Sequence, residues 1–386
     1  MDLIVRGFSA SAYRSLRQIR YPLSRLDVFV GANGVGKTNL YRALDLLRCA
    51  ADNTLGVRLA HEGLASSFWA GPRRRGEPAE IALSVSLADP KARDRRSAID
   101  YEVVIGFPPK EASAAFAEEP QIKRERLSQT VGGRRVQLAE RTGHSLMARG
   151  EDGRPAPIPL DLLASETMIG RLEDPSRYPG LDLVRRTLLG WRFYHDLRTD
   201  ADAPMRRPCV AVSCPDLASD GGNLSAVFAT LTHIREDTAD LDETVDAAFP
   251  GARLIVPRPG RMASFGMIFP EFPSRLFDLS ELSDGTLKFL ALAGALLAYR
   301  SPPFIALNEP ESSLHPDLIE PLARLVVRAS ARSQIWLVTH SERLAAAIAA
   351  TGAGRVRRVT KLDGATGIAG LAPFGAFSDE DDDDLD

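Results

Sequence analysis

Eight consecutive residues near the start of the chain, Gly31-Ala32-Asn33-Gly34-Val35-Gly36-Lys37-Thr38, have the types and spacing of a phosphate-binding loop. Glycine at 31, 34 and 36 lets the backbone turn its N–H groups inward around phosphate oxygens. A helix beginning at the end of the loop aims its positive pole at the same anion. Lys37 then reaches the outer phosphates, and the Thr38 hydroxyl is a hard oxygen ligand suited to Mg2+. Such a loop needs a strand to deliver it and a helix to follow it. Leu26–Val30 is an apolar strand, and the run from Asn39 to Leu47 reads as the helix. Residues 31–38 with Asn39 form the candidate binding set.

The C-terminal half carries a second group of chemistry-bearing residues. Pro303–Leu307 is an apolar strand that runs into Asn308-Glu309-Pro310-Glu311-Ser312-Ser313-Leu314-His315-Pro316. A strand delivering an acid beside a phosphate loop is the expected place for Mg2+ chemistry, with Glu309 as candidate base for an attacking water. Gln334–Val338 is a third buried strand, ending in Thr339-His340-Ser341. Upstream, Leu282-Ser283-Asp284-Gly285-Thr286 opens an apolar helix. A Ser-x-Gly turn at a helix N-terminus can bind a γ-phosphate through its hydroxyl and backbone N–H groups, and it is also a common capping pattern.

Taken in order, these segments resemble the ATP-binding-cassette ATPases, and more closely their RecF/SMC-like branch. That branch has an LSxGT-type signature, a DEPE-x-x-LHP segment and a switch histidine in a TH-S context. The opening Phe8…Tyr13-Arg14-Ser15-Leu16 is similar to the "FRSL" start of RecF-like heads. Asp220-Gly221-Gly222-Asn223-Leu224 is similar to stand-alone bacterial ATPases of the same group. The resemblance implies an α/β P-loop NTPase with an ABC-type two-lobed head: a mixed central sheet, an antiparallel β subdomain and a helical insertion. It implies ATP and Mg2+ as cofactors and two heads paired head to tail around two ATPs. Ser283 and Gly285 would touch the partner's ATP, Glu309 would activate water, His340 would sense the γ-phosphate, and Lys37 would complete the catalytic set. Thr38 and Asn308 would serve the metal, and Ser312 and Ser313 would lie near the dimer seam.

Two departures from that pattern bear on rate. The usual Asp before the catalytic Glu is Asn308, a neutral amide that can hydrogen-bond a Mg2+-bound water but gives up a charge. The expected switch glutamine is missing, since no Gln occurs between Gln18 and Gln121; the segment Ser67-Phe68-Trp69-Ala70-Gly71-Pro72-Arg73 is expected in its place. Slow hydrolysis is therefore expected.

The chain divides in this reading into an ATPase lobe over 1–106, a β-hairpin and helical insertion over 107–250, a second ATPase lobe over 251–377 and an acidic disordered tail over 378–386. Ile81–Leu87 and Ile99–Ile105 read as antiparallel strands, and Arg134–Glu140 with Ser145–Arg149 as a hairpin around Thr142-Gly143. Trp191–His195 is a further strand candidate. Leu160–Leu172, Leu181–Leu189, Leu224–Arg235 and Leu241–Phe249 read as helices. No sustained heptad array appears, which excludes long coiled-coil arms.

Composition bounds the rest. With 386 residues, 44% of them hydrophobic and 26% charged, the chain is ordinary globular material rather than disordered or collagen-like. Its longest apolar run, Phe289–Tyr299, is too short to cross a bilayer and reads as a buried helix. With no signal-peptide core, this leads to the expectation of a cytoplasmic protein without a membrane. Cys49, Cys209 and Cys214 form neither a disulfide framework nor a zinc-like spacing. The net charge of −3 hides seven acids in Asp379–Asp386, so the remainder of the chain is net positive. The basic clusters Arg73–Arg75, Arg95-Arg96, Lys123-Arg124, Arg134-Arg135 and Arg355–Arg358 are either a nucleic-acid track or solvated turns. The tail is either a solubilising end or a competitor of DNA for that basic surface.

Three functions meet these terms. The first is an ATPase whose closure controls double-stranded DNA or an effector, in repair or anti-phage defence. Any nuclease would then be a separate partner, because only a short stretch follows His340. The second is a nucleotide-gated protein-interaction switch without DNA. The third, a transporter ATPase subunit, fits the signature and the long middle segment poorly.

Overall fold

The computed structural model describes residues 3–372 and 375, except 73–78, 93, 95, 109–115, 151–152 and 160. Arg73–Arg75, Arg95 and the acidic tail thus lie outside the described residues. The chain folds as two compact units. The first contains the residues up to Ser24, Gly31–Trp191 and the residues from Arg357 onward. The second contains Arg25–Val30 and Arg192–Val356.

The first unit is built on an eight-stranded antiparallel sheet. Its spatial order is Leu16–Pro22, Ile4–Tyr13, Glu80–Ala88, Ala98–Gly106, Gln121–Val131, Arg134–Thr142, Ser145–Arg149 and Pro155–Pro157. Period-2 patterning gives the sheet its two faces. Ile81, Leu83, Val85 and Leu87 are buried, while the intervening Ala82, Ser84 and Ser86 are half-exposed. The helices Lys37–Ala51 and Pro179–Leu189 pack with this sheet. The outer face is polar and carries cross-strand ion pairs, Arg124–Glu102 at 3.1 Å and Arg126–Glu140 at 2.6 Å. The chain returns at its C-terminal end as a hairpin, Arg355–Leu362 and Ala365–Ile368. That hairpin packs with the strand Leu16–Pro22.

The two strands expected at Ile81–Leu87 and Ile99–Ile105, and the hairpin turning at Gly143, are present. The helix expected over Leu160–Leu172 is not. Among the described residues of that span only Met168–Arg171 is helical, and the physical reason is the buried Arg141. Its guanidinium takes the carbonyls of Leu163 and Glu166, which therefore cannot serve a helical ladder. The helix begins where Thr167, in an extended conformation, caps Gly170 N–H.

The second unit holds a parallel sheet in the order Arg192–Tyr194, Phe304–Asn308, Gln334–Thr339 and Leu26–Val30. The last three strands are buried along their whole length, as a sheet covered on both faces requires. The helix Asp284–Leu296 is apolar on most sides and buried from Thr286 onward, Lys288 included, and forms the centre of this unit's core. The helix expected over Leu224–Arg235 is α-helical to Thr230 and then winds as a π-turn over Leu231–Arg235, ended by Glu236 at φ 59°. The helix expected over Leu241–Phe249 is present as Ala239–Ala248.

Candidate nucleotide-binding and hydrolytic residues

In the first unit, the loop that follows Leu26–Val30 turns through Gly34 at φ 80° and Gly36 at φ 99°, and the helix starts at Lys37. Both glycines occupy the left-handed region, where a side chain would be strained. Ala32, Asn33 and Gly34 are exposed, and Thr38 and Asn39 are half-buried at the start of the helix. Lys37 is 4% exposed and folds back over its own loop, its Nζ donating to Gly31 O at 2.6 Å and Ala32 O at 2.8 Å.

Three neighbours brace this loop. Thr366 Oγ1 donates to Val35 O at 2.8 Å, and Lys361 Nζ stands 3.4 Å from Gly34 O. Ser15 Oγ lies 2.6 Å from Thr366 Oγ1 and receives the Asn39 side-chain amide at 2.7 Å. Ser15 is fixed by the turn that carries it, where Arg14 Nη2 pairs with Glu62 at 2.7 Å and Arg14 N–H bonds Ser67 O. Tyr13 OH shares Glu62, and burial pushes that phenol up to about 12. The Ser67–Pro72 part of the segment expected in place of the switch glutamine joins the same turn, with Trp69 N–H bonding Ala12 O.

In the second unit, the strand Phe304–Asn308 ends in two residues of different character. Asn308 is 6% exposed; its Nδ2 lies 2.9 Å from His195 Nδ1, and its Oδ1 has no hydrogen-bond partner among the described residues. Glu309 sits at φ 49°, an uncommon conformation for a non-glycine residue, with its N–H held by Val338 O at 2.7 Å. Its carboxylate is 3.7 Å from His340 Nδ1.

Glu311 completes this group. One of its oxygens accepts from Thr339 Oγ1 at 2.5 Å, His340 N at 3.2 Å and Ser341 N at 3.3 Å, and lies 3.3 Å from His340 Nδ1. Asn308, Glu309 and His340, all singled out from sequence, thus meet in one cluster, and Glu311 and His195 are the members that sequence reasoning gave no role.

The segment Leu282–Thr286 of the same unit, expected to be a signature, is held from two sides. Ser283 caps its helix by accepting Thr286 N–H at 3.2 Å. Arg206 pairs with Asp284 at 2.5 Å and donates to Leu282 O at 2.7 Å. A Cβ on Gly285 would stand 3.3 Å from Ser313 O, and Ser313 is itself at φ 65°. Ser283 is exposed. Lys288, one helical turn further on, is buried; that burial lowers its pKa, opposed by Asp196 and Glu311.

These donor sets fit a Mg2+-nucleoside triphosphate. The glycine-lined loop ends at a helix N-terminus with a buried lysine, and the orphaned Asn308 Oδ1 is a neutral hard acceptor for a metal-bound water. Among the described residues no helix is long and apolar enough to cross a membrane.

Comparison with known proteins identifies a family and a fold. A family model described as "AAA domain, putative AbiEii toxin, Type IV TA system" matches residues 28–346. A search of the curated proteins found no match. Among solved structures, the chain is similar to an SMC head bound to the C-winged helix domain of ScpA, at 13% identity and TM-score 0.53 over 95% of this chain and 97% of that one. It is also similar to the SMC head domain with an extended coiled coil, bound to the C-terminal domain of ScpA and derived from Pyrococcus furiosus. There the identity is 15% and the TM-score 0.51, over 95% and 96% of the two chains. The fold is therefore that of the SMC-head P-loop NTPases, as the order of motifs led us to expect.

Proposed function

The chain belongs to this AAA-domain family, and on that premise we propose that it binds ATP with Mg2+, hydrolyses it slowly, and uses ATP-driven head-to-tail pairing of two copies to control DNA or an effector protein. The observation that carries the reading is the cluster at the end of the acidic strand: Glu309 held at positive φ, 3.7 Å from His340. A carboxylate and an imidazole so placed suit a base for water and a sensor of the γ-phosphate.

In this mechanism Lys37 leaves the carbonyls of Gly31 and Ala32 for the β- and γ-phosphates, whose charge offers a stronger acceptor. Backbone N–H groups of the loop hold the remaining phosphate oxygens. Thr38 and Asn308 are the residues that would serve Mg2+, and the ion would supply charge neutralisation for the phosphoryl group. Glu309 takes the proton of the attacking water. Ser283 and Gly285 of one copy approach the γ-phosphate held by the other, with Ser312 and Ser313 near the seam. Asn308 in place of a carboxylate supports slow turnover, because an amide draws Mg2+ less strongly.

The family description names a toxin–antitoxin system, which supports anti-phage defence as a setting beside DNA repair. Both solved heads carry a domain of a protein partner, ScpA, which supports an effector protein as the thing controlled. The second reading, a switch gated by nucleotide with no DNA contact, is favoured by Asn308 alone, since a switch tolerates slow turnover.

Light scattering of the Glu309→Gln protein, with and without ATP–Mg2+ and a fluorescent DNA duplex, tests the proposal. Doubling of mass on ATP supports the paired heads, and co-eluting duplex supports DNA as the target. Doubling without duplex moves the assignment to the protein switch. An unchanged mass with ATP bound removes the trans roles of Ser283 and Gly285.

A further inference from the structure

Each peptide unit of the phosphate loop has two ends. In a trans peptide the C=O and the following N–H point in opposite directions, so fixing a carbonyl outward fixes the next N–H inward. No cis peptide occurs among the described residues. Four loop carbonyls have side-chain donors: Gly31 O and Ala32 O from Lys37, Gly34 O from Lys361, and Val35 O from Thr366. The first two contacts end once Lys37 turns to a phosphate. The other two come from the C-terminal hairpin and need not change.

We infer that this hairpin is a working part of the nucleotide site: Lys361 and Thr366 are positioning residues that hold the Gly34–Val35 and Val35–Gly36 peptides with their N–H groups turned toward the phosphates of a bound nucleoside triphosphate. This rests on the phosphate-loop reading above and adds to it a set of residues more than three hundred positions away in sequence.

The proton order along the brace is forced. Val35 O only accepts and the Asn39 amide nitrogen only donates. The chain must therefore run from Asn39 Nδ2 to Ser15 Oγ, from Ser15 to Thr366, and from Thr366 to Val35 O, with each hydroxyl giving one proton and taking one. Such a one-way chain polarises its members in the same sense. Thr366 is 5% exposed, and its backbone N–H bonds Ser15 O at 2.8 Å, so the hydroxyl is delivered by a fixed element.

The loop is shaped to receive this brace. A Cβ on Gly36 would collide with both Thr366 Oγ1 and Ser15 Oγ, and one on Gly31 would stand 2.7 Å from Val359 O of the same hairpin. Glycine at these two positions thus admits the hairpin on the outer side of the loop. Composition adds a separate hint. Arginine supplies most of the chain's 48 basic residues and lysine only six, yet two of those six, Lys37 and Lys361, stand over loop carbonyls. A compact, rotatable ammonium suits a single carbonyl better than a planar fork does.

The test is equilibrium binding of an N-methylanthraniloyl ATP to the full chain, with thermal melting of each variant without nucleotide. Thr366→Val keeps the shape and removes the hydroxyl, and Thr366→Ser restores it. Lys361→Met keeps the length and removes the donor, and Lys361→Arg restores a charge. Loss of one hydrogen bond at a preorganised site predicts about tenfold weaker binding for Thr366→Val and roughly threefold for Lys361→Met. Binding returns in Thr366→Ser, and every variant stays folded at the assay temperature, Thr366→Val melting a few degrees lower for its lost hydrogen bonds. Wild-type affinity in both the Val and the Met variants overturns the inference, as does failure of Thr366→Ser to restore binding. A wild-type chain that binds no nucleotide overturns the phosphate-loop reading itself, and the hairpin's role with it.

Discussion

A single carboxylate oxygen of Glu311 receives the hydroxyl of Thr339 and lies within hydrogen-bond reach of the backbone N–H of His340. His340 is thereby anchored through its main chain, while its ring Nδ1 lies between the two carboxylates, 3.3 Å from Glu311 and 3.7 Å from Glu309. Glu311→Ala leaves that hydroxyl and the His340 N–H without this acceptor, while the Ser341 N–H keeps Thr339 Oγ1 at 2.9 Å, and is expected to cost about 2 kcal/mol in urea unfolding. Glu311→Gln keeps a carbonyl oxygen in place and costs roughly 1 kcal/mol. Both lower hydrolysis while leaving ATP affinity intact. An Ala variant that unfolds at the wild-type urea concentration removes Glu311 from this role.

Asn308→Asp restores a charge beside the orphaned Oδ1 position. The Mg2+ concentration for half-maximal hydrolysis should fall about tenfold and turnover should rise, because a carboxylate binds a hard cation more strongly than an amide. Titration of phosphate release against Mg2+ measures this. An unchanged Mg2+ dependence means that Asn308 does not serve the metal.

Ser283 has two roles that substitution separates. Ser283→Ala removes the helix cap and costs about 1 kcal/mol in the isolated chain. Ser283→Asp keeps a good cap but sets a negative charge where a γ-phosphate would dock. The Asp variant should melt like wild type and fail to double its mass with ATP in the Glu309→Gln background. Mass doubling by that variant would argue against the trans contact.

Lys288 gives a pH signature. Burial lowers its pKa below the ordinary lysine value of 10.5, with Asp196 and Glu311 opposing. The folded chain then gives up this proton at a lower pH than the unfolded chain does. In the interval just below 10.5 the unfolded state binds more protons, so this group's contribution to stability rises with pH there. Lys288→Met should raise the melting temperature at pH 7 and flatten its rise toward pH 10. Parallel curves for the two proteins would show that the ammonium carries no such cost.

The phosphate loop was legible because its chemistry is contiguous: strand, loop and helix follow one another within 30 residues. The acidic strand, the turn at Ser283 and the strand ending at His340 stood out as short runs, and it was their order that pointed to the fold. What supports them was not legible, because hydrogen-bonded partners lie far apart in the chain. Ser15 and Thr366 are separated by 351 positions, and Asn308 and His195 by 113. The strand Gln121–Val131 was missed for a different reason. Its run Lys123-Arg124-Glu125-Arg126 looks like exposed charge, yet Glu125 is buried, where it accepts from Tyr101 OH and from the N–H groups of Met168 and Ile169. A bulge near Ile105 and another near Ser128 break the alternation on either side.

The C-terminal hairpin also sets an order of events during synthesis. The residues of the phosphate loop leave the ribosome early, with most of the chain still to follow. Lys361 and Thr366 leave it more than three hundred residues later. A nascent chain not yet extended to the hairpin therefore has the loop sequence without its outer brace, and the braced loop forms only after these distant residues have been made.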